Sequence, residues 1–308
     1  MSRFRNLEPT GRRGGALLLR WMVRRQPARW PSHIENLPWP PPGPVPPRHA
    51  GVTSVGHSTF LLRMAAVTIL TDPQFSERAS PVGWAGPRRV RAPGIMIGAL
   101  PPLDLILVSH NHYDHMDLPS LRALQGSGAQ IVTSSGNAAA LAQAGIPGAQ
   151  ELGWWETATI GRARVTATPA QHFSRRGLFD RDRTLWAGFM VETEEGRVFF
   201  AGDSGAGGHW AEIREKLGAP SLALLPIGAY APRAIMAPVH MDPAEAVAAH
   251  LALSARRSIG MHWGTFQLTD EGIDDPPQAL AAARDAAGLL RERFDVLDVG
   301  ETRNMPLD

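Results

Sequence analysis

The feature that most constrains this chain is an apolar run that ends abruptly in ligand-forming side chains. Leu103 to Ser109 is nearly continuous in aliphatic residues, the pattern of a strand buried on both faces, and it leads directly into His110-Asn111-His112-Tyr113-Asp114-His115. A strand covered on both faces needs a layer on each side. The polar run then lies in the loop at its carboxyl end, where sites of α/β proteins form. His110 and His112 alternate along an extended segment and point the same way, and a bend lets Asp114 and His115 face a second position. So dense a set of imidazole and carboxylate groups exceeds what a solvated loop displays, and it suits zinc, with manganese or iron as alternatives.

Around this run, short strands and helices alternate. Strands are expected at Thr59–Arg63, Val67–Thr71, Gln130–Thr133, Arg164–Thr168, Leu185–Glu192, Arg197–Ala201, Leu222–Pro226, Ser258–His262 and Asp295–Val299. Helices are expected at Leu118–Leu124, Ala138–Ala144 and Pro276–Glu292, and another from Pro243 with Asp242 as its N-cap. Strands followed by helices occur twice, which points to two similar halves, each a sheet covered by helices on its outer face. Three further polar residues close apolar strands: His172 after Arg164–Thr168, Asp203 in Ala201-Gly202-Asp203-Ser204-Gly205, and His262 before Trp263-Gly264. Each alone reads as an ordinary half-buried side chain. Together with the first run they complete a two-ion ligand set.

Composition narrows the chemistry. The 308 residues contain no cysteine, which removes disulfides, thiolate ligands and a cysteine nucleophile. No run of 18 or more apolar residues is present, so no spanning helix is expected. The net charge is only +2, yet the first fifty residues carry Arg3, Arg5, Arg12, Arg13, Arg20, Arg24, Arg25, Arg29 and Arg48 against Glu8 and Glu35. Residues 1–50 therefore read as a basic, proline-rich arm ahead of a catalytic domain at 51–308. Pro38 to Pro47 is a stiff connector, expected to lie as a strap on the domain. Arginines interleaved with Leu17, Leu18, Leu19, Trp21, Met22 and Trp30 suit an anionic membrane surface, while docking of the arm on the domain is the competing expectation. No nucleic-acid recognition motif accompanies the arm. Arg12-Arg13 before Ala16 to Leu19 is only partly similar to a twin-arginine export signal. The apolar stretch is short, interrupted by Arg20 and without a clear cleavage site, so a cytoplasmic location, peripheral to the inner membrane, is expected.

The run His110 to His115 resembles the signature of the metallo-β-lactamase superfamily. Gly56-His57-Ser58-Thr59, Thr71-Asp72-Pro73, Phe75 to Pro81, Gly86 to Arg89, Pro169 to Phe173, Phe200 to Gly205, Pro226 to Arg233 and His262 to Phe266 resemble one branch. That branch is the N-acylphosphatidylethanolamine-hydrolysing phospholipase D group and its bacterial relatives. The resemblance implies an α/β fold, a four-layer αββα sandwich with two zinc ions at one edge. It assigns His110, His112 and His172 to one ion, Asp114, His115 and His262 to the other, and Asp203 as a bridge. Two cations about 3.5–4 Å apart lower the pKa of a shared water toward neutrality, so no serine or cysteine nucleophile is needed.

The implied activity is phospholipase D-type cleavage of N-acylphosphatidylethanolamine-like lipids, or of a small phosphodiester, with Asp114 and His240 as the catalytic residues. His240, in Val239-His240-Met241-Asp242-Pro243, is expected to serve the leaving group or to orient substrate. Asp72 and Asp117 are candidates to orient metal-bound imidazoles. His57 is expected to be structural, and His33, His49, His209 and His250 carry no expected role. Trp84, Trp154-Trp155 and Met236 are expected to pack rather than to line a substrate groove. A lactone, lactam or other ester hydrolase is the competing enzyme class. A non-hydrolytic diiron redox protein of the same fold is a further alternative, which the resemblance disfavours because such proteins place a carboxylate where His112 stands.

Overall fold

The computed structural model describes residues 3–9 and 15–308; Arg12 and Arg13 of the partial export motif lie outside them. The first sheet takes β1 (His49–Gly56), β2 (Thr59–Arg63), β3 (Thr68–Thr71), β4 (Leu105–Val108), β5 (Gln130–Ser134) and β6 (Gln150–Leu152). The second takes β7 (Thr157–Ile160), β8 (Ala163–Thr168), β9 (Gly188–Thr193), β10 (Gly196–Phe200), β11 (Leu222–Pro226), β12 (Arg257–Met261) and β13 (Phe294–Val296). The last strand, β14 (Thr302–Pro306), returns to the first sheet and pairs antiparallel with β1. The two halves are thus not independent stretches of chain, because the end of the second half supplies an edge of the first. The helices are α1 (Gly15–Arg24), α2 (Leu118–Leu124), α3 (Asn137–Gln143), α4 (His209–Leu217), α5 (Arg233–Met236), α6 (Pro243–Leu253) and α7 (Asp275–Ala286).

Side-chain alternation builds four layers. Along β2, β3 and β4, Phe60, Leu62, Ile69, Leu105 and Leu107 face the second sheet and join one core with Val165, Phe189, Phe199 and Leu224. Their neighbours Leu61, Leu70, Ile106 and Val108 face outward and join Leu121 and Leu124 of α2 and Leu141 of α3. Trp210 and Ile213 of α4, Ala246 and Val247 of α6 and Leu280 of α7 cover the second sheet. The run at Leu103–Ser109 reads as continuous rather than alternating because both of its faces are buried.

The expected strands and helices are present with shifted ends. Asp242 caps α6 as expected: its side chain accepts from the Glu245 N–H at 2.9 Å and Glu245 accepts from the Asp242 N–H at 3.0 Å. The helix expected to reach Glu292 stops at Ala286, and Gly288 follows with φ 65°. The elements not anticipated are β1, β6, β7, β14, α1, α4 and α5. β1 (HAGVTSVG) is buried almost throughout, yet Gly, Ser and Thr conceal its apolar face; β14 carries Arg303 and Asn304 on a sheet edge.

The arm lies along the domain. Arg25 pairs with Asp270 at 2.8 Å, Trp21 Nε1 and the Ala28 N–H donate to Asp270, and Trp30 Nε1 donates to the Glu271 carbonyl. Farther on, the Ile34 N–H donates to the Val90 carbonyl, and Arg63 and Asn304 donate to the carbonyls of Gly43 and Pro44 in the proline strap. No helix of the described residues is long and apolar enough to cross a membrane.

The inter-sheet core makes one stability expectation direct. Leu107→Ala, at a side chain with 0% exposure between the sheets, is expected to cost about 2–5 kcal/mol, while Leu290→Ala, at 70% exposure, changes stability by less than about 0.5 kcal/mol. Denaturant unfolding of the metal-free protein measures both.

Candidate metal centre

The direction of the strands brings the ligand candidates to one edge. β1, β3 and β4 run the same way, as do β8, β10 and β12, so their carboxyl ends open on a common side. His57, Asp72 and the His110–His115 run leave the first sheet there, and His172, Asp203 and His262 leave the second. Backbone bonds stitch the two edges together: the Ala187 N–H donates to the Ser109 carbonyl at 3.1 Å and the His262 N–H to the His57 carbonyl at 3.0 Å. Glycines allow the close approach. A Cβ at Gly202, whose φ is 60°, would fall 2.8 Å from the Cβ of Ser109, and one at Gly228 would fall 2.0 Å from the His262 carbonyl oxygen.

One group of donors is His110, His112 and His172. Ser109 Oγ donates to Asp72 at 2.6 Å and so accepts from His110 Nδ1–H at 2.9 Å, leaving His110 Nε2 bare. His172 Nδ1–H donates to the Val239 carbonyl at 2.9 Å, leaving its Nε2 bare as well. These two nitrogens face His112 Nδ1 at 2.8 and 3.2 Å. A single N–H on His112 satisfies one of them and not both, whereas a cation satisfies all three.

The second group is Asp114, His115 and His262, with His57 beside them. His115 Nδ1–H donates to Asp72 Oδ2 at 2.5 Å. Its Nε2 is buried without a hydrogen-bond partner, 3.1 Å from Asp203 Oδ2 and 3.3 Å from Asp114 Oδ2. His262 Nε2 lies 3.2 Å from Asp114 Oδ2 and 3.1 Å from Asp203 Oδ2. Asp203 Oδ2 is also 3.7 Å from His172 Nε2 and 4.0 Å from His110 Nε2, so one carboxylate oxygen stands between both groups. Bare imidazole nitrogens, buried carboxylates and unpartnered atoms facing one another fit a divalent-metal site with Asp203 at its middle.

Electrostatics divides the histidines. Burial, with His172 nearby, holds His112 at about 3, and burial holds His172 at about 4. Burial and the neighbouring His115 push His110 well below the usual imidazole range. Against the same burial, Asp203 and Asp114 hold His115 well above that range and raise His262 to about 9. Burial opposes ionisation of Asp114 and Asp203 too, yet His115, joined at Asp203 by His262, keeps both well below the usual carboxylate range.

Every anticipated ligand is drawn into this cluster. Asp72 orients His115 directly and reaches His110 through Ser109, as expected of it. Asp117 does not orient an imidazole: its carboxylate accepts from the Ser76 N–H at 3.1 Å and from the Ser120 hydroxyl, tying α2 to the 73–76 loop. His240 stands at the edge, with Nδ1 4.0 Å from Asp203 Oδ2 and its ring 5.0 Å from that of His172. Arg233 holds its loop by donating to the His240 carbonyl at 2.8 Å and to Glu245 at 2.5 Å.

His57 lies against the centre, in a role that supports Asp114. Its Nε2–H donates to Asp114 Oδ2 at 3.0 Å, its ring lies 4.1 Å from that of His262, and burial together with His262 lowers it to about 4. Its spacing from the candidate ligands carries no signal, but a histidine in a tight turn between two strands does: His57 has φ 57°. His209 and His250 pair with Ser204 and Ser258 and lie outside the ligand groups. Trp154 and Trp155 pack against the main core, and Trp84 is exposed.

Metal loading has a proton signature. His110, His112 and His172 are already neutral at pH 7, whereas His115 and His262 must each give up a proton to bind a cation. Adding Zn2+ to metal-free protein in weak buffer at pH 7 is therefore expected to release protons. Affinity is expected to rise with pH toward about 9, where His262 deprotonates unaided. Calorimetry in buffers of different ionisation enthalpy measures the release; a proton count of zero contradicts the assignment of His115 and His262.

Comparison with known proteins agrees with this geometry. Residues 67–263 match the family model of the beta-lactamase superfamily domain. The chain is 39% identical over 264 residues to the N-acyl-phosphatidylethanolamine-hydrolyzing phospholipase D 1 of Caenorhabditis elegans, covering 81% of this chain and 74% of that protein. It is 32% identical over 245 residues to a UPF0173 metal-dependent hydrolase of Pyrobaculum calidifontis, covering 79% of this chain and 96% of that protein. The fold is shared with Igni18, a metallo hydrolase from Ignicoccus hospitalis, at a TM-score of 0.63 and 24% identity, over 84% of this chain and 100% of that one. The chain therefore belongs, as a metal-dependent hydrolase, to the metallo-β-lactamase superfamily and to its N-acylphosphatidylethanolamine-hydrolysing phospholipase D-like branch.

Proposed function

We propose that this hydrolase is a dizinc phosphodiesterase of phospholipase D type, which splits N-acylphosphatidylethanolamine-like lipids into an N-acylethanolamine and phosphatidic acid. The observation that carries the reading is the placement of two ligand triads on either side of Asp203 Oδ2. The similarity to a lipid-cleaving relative supports the substrate class. An imidazole at position 112 supports hydrolysis over diiron redox chemistry. When bound, the two cations supply a water nucleophile at neutral pH and offset charge on the phosphoryl oxygens.

The chain's own residues supply position and proton control. Asp72, Ser109 and the Val239 carbonyl orient the rings of His115, His110 and His172, so that His110 and His172 present a lone pair inward and His115 does so once its proton leaves. His57 holds one lone pair of Asp114 Oδ2 and leaves the other oxygen free. His240 is kept neutral by burial, which pushes it well below the usual range despite Asp203. A neutral imidazole at the rim donates or accepts one hydrogen bond, which suits orienting the phosphodiester or its leaving oxygen better than standing as a cation.

A lipid substrate requires contact with a bilayer, and α1 carries a face suited to it. Leu19 and Val23 are 62% and 77% exposed, and Arg20 and Arg24 beside them are exposed as well. Leu178 and Phe179, on the loop that follows His172, add exposed apolar surface. The arm's bonds to Asp270 and Glu271 mean that removing it disturbs the domain, so point substitutions are the cleaner probe.

Lipid turnover, a substitution at His240 and vesicle binding test the function. Zinc-loaded protein is expected to release N-acylethanolamine from N-acylphosphatidylethanolamine vesicles. His240→Ala is expected to keep both ions and lose about 10²–10⁴-fold in turnover; loss of metal in that variant makes His240 a ligand instead. Turnover of lactones or lactams with no lipid cleavage overturns the substrate assignment. Leu19→Asp and Val23→Asp are expected to weaken co-sedimentation with anionic vesicles at low salt, with wild-type binding itself falling as salt rises. Unchanged binding in both variants removes α1 from the membrane contact.

A further inference from the structure

The loop that carries His172 is completed by a segment 166 residues away in sequence. β8 ends at Thr168, and the chain from Pro169 to Phe173 leaves the second sheet, so the backbone of His172 has no strand beside it. The side chain of Asn6 takes that place. Its Oδ1 accepts from the His172 N–H at 3.0 Å and its Nδ2–H donates to the His172 carbonyl at 2.8 Å. One amide group thus satisfies both backbone groups of a single residue, as a neighbouring strand would.

Asn6 is itself held in place. Trp186 Nε1–H donates to Asn6 Oδ1 at 2.8 Å and to the Ala170 carbonyl at 2.9 Å. On either side the chain is pinned: the Phe4 N–H donates to the Asp182 carbonyl at 2.8 Å, and the Glu8 carbonyl accepts from Gln171 Nε2 at 3.0 Å. Glu8 Oε1 accepts from the Gly208 N–H at 2.5 Å, just ahead of α4. Two of these bonds fall on Gln171 and Asp182, which flank His172 in the same loop. The bonds from this segment therefore converge on the loop bearing His172 and on the turn that follows Asp203.

We propose that Asn6 is a positioning residue for the metal centre: it brackets the backbone of His172 and fixes where that imidazole meets His110 and His112. The proposal rests on the assignment of His172 as a ligand. The ring of His172 is tied at Nδ1 to the Val239 carbonyl and its backbone to Asn6, so the two anchors together set the position of Nε2. Ligand atoms must lie within about 0.2 Å of their proper distance, and loss of a partner that orients a ligand typically costs about 10–100-fold in metal affinity. The effect is specific to one ion, because Asp114, His115 and His262 hang from other loops. Residues 3–9 are, in this reading, part of the metal centre and not a free tail.

The test uses full-length protein with Asn6→Ala, Asn6→Asp and, as a control, Leu7→Ala at an exposed neighbour. In Co2+- or Zn2+-loaded protein challenged with a chelator, Asn6→Ala is expected to release one ion about 10–100-fold faster and the other at the wild-type rate. Asn6→Asp keeps the acceptor for His172 and Trp186 but loses the donor, and is expected to fall between. Leu7→Ala is expected to match wild type. The Co2+ absorption bands of only one ion should change. Hydrogen exchange of residues 169–174 in metal-free protein reads the bracket without any ion, and it should quicken in Asn6→Ala. Unchanged exchange and unchanged release overturn the proposal, as does equal acceleration for both ions with a collapsed melting transition, which marks a general loss of fold. A wild-type protein that fails to take up two ions overturns the two-ion assignment instead, and the exchange result then decides the bracket on its own.

Discussion

The structure depends on keeping two carboxylates ionised where the two sheets meet. Asp114 and Asp203 are buried, and a buried carboxylate without compensation protonates or destabilises the fold. The compensation is imidazole: His115 and His262 face both carboxylates at 3.1–3.3 Å. In the metal-free protein those two histidines carry the balancing protons, which a bound metal would displace. The remaining histidines of the centre are held neutral by burial and are ready to donate lone pairs. Desolvation thus prepares one set of ligands directly, while the two carboxylates, acting against desolvation, set the other to exchange protons for metal.

Holding this arrangement costs backbone strain, and the strain is local. Asp72, His57, Ala229 and His262 all adopt positive φ, at 31°, 57°, 59° and 64°. His57, Asp72 and His262 end strands at the ligand-bearing edge, and Ala229 closely follows the end of β11. Their neighbours over-determine the conformations: Asp72 accepts from the Ser109 N–H and hydroxyl and from His115, and the His262 N–H is bonded to the His57 carbonyl. Such residues cost roughly 1–3 kcal/mol each and persist only where packing and hydrogen bonds enforce them.

The first fifty residues change character once their contacts are known. Read as composition, they are a basic arm with apolar residues, suited equally to a bilayer or to docking. In the fold, Asn6 and Glu8 bond to the His172 loop and to the start of α4, and Trp21, Arg25 and Trp30 bond to the 269–271 segment. Leu19 and Val23 stay exposed between these anchor points in sequence. Docking and surface display are therefore carried by different residues of one arm and do not compete.

The sequence alone determined the layered fold and named the candidate ligands. An apolar strand buried on both faces dictates layers on each side, and ligands placed at strand ends in His110–His115, His172, Asp203 and His262 are legible because strand periodicity and polar termination are local patterns. The cap at Asp242 is legible for the same reason. What only the tertiary structure decided depends on contacts distant in sequence. Asp117 looked as able as Asp72 to orient an imidazole, yet only Asp72 lies at the end of the strand next to β4. His57 reads as structural, and only the His57–His262 backbone bond shows that what it supports is Asp114. β14 carries no apolar alternation, because an edge strand is held by main-chain bonds to β1 more than by its side chains. Asn6 is an unremarkable residue in a polar segment, and nothing local ties it to His172. Hydrogen bonds to backbone distant in sequence carry no pattern of their own, so residues that act through them became visible only when the chain was folded.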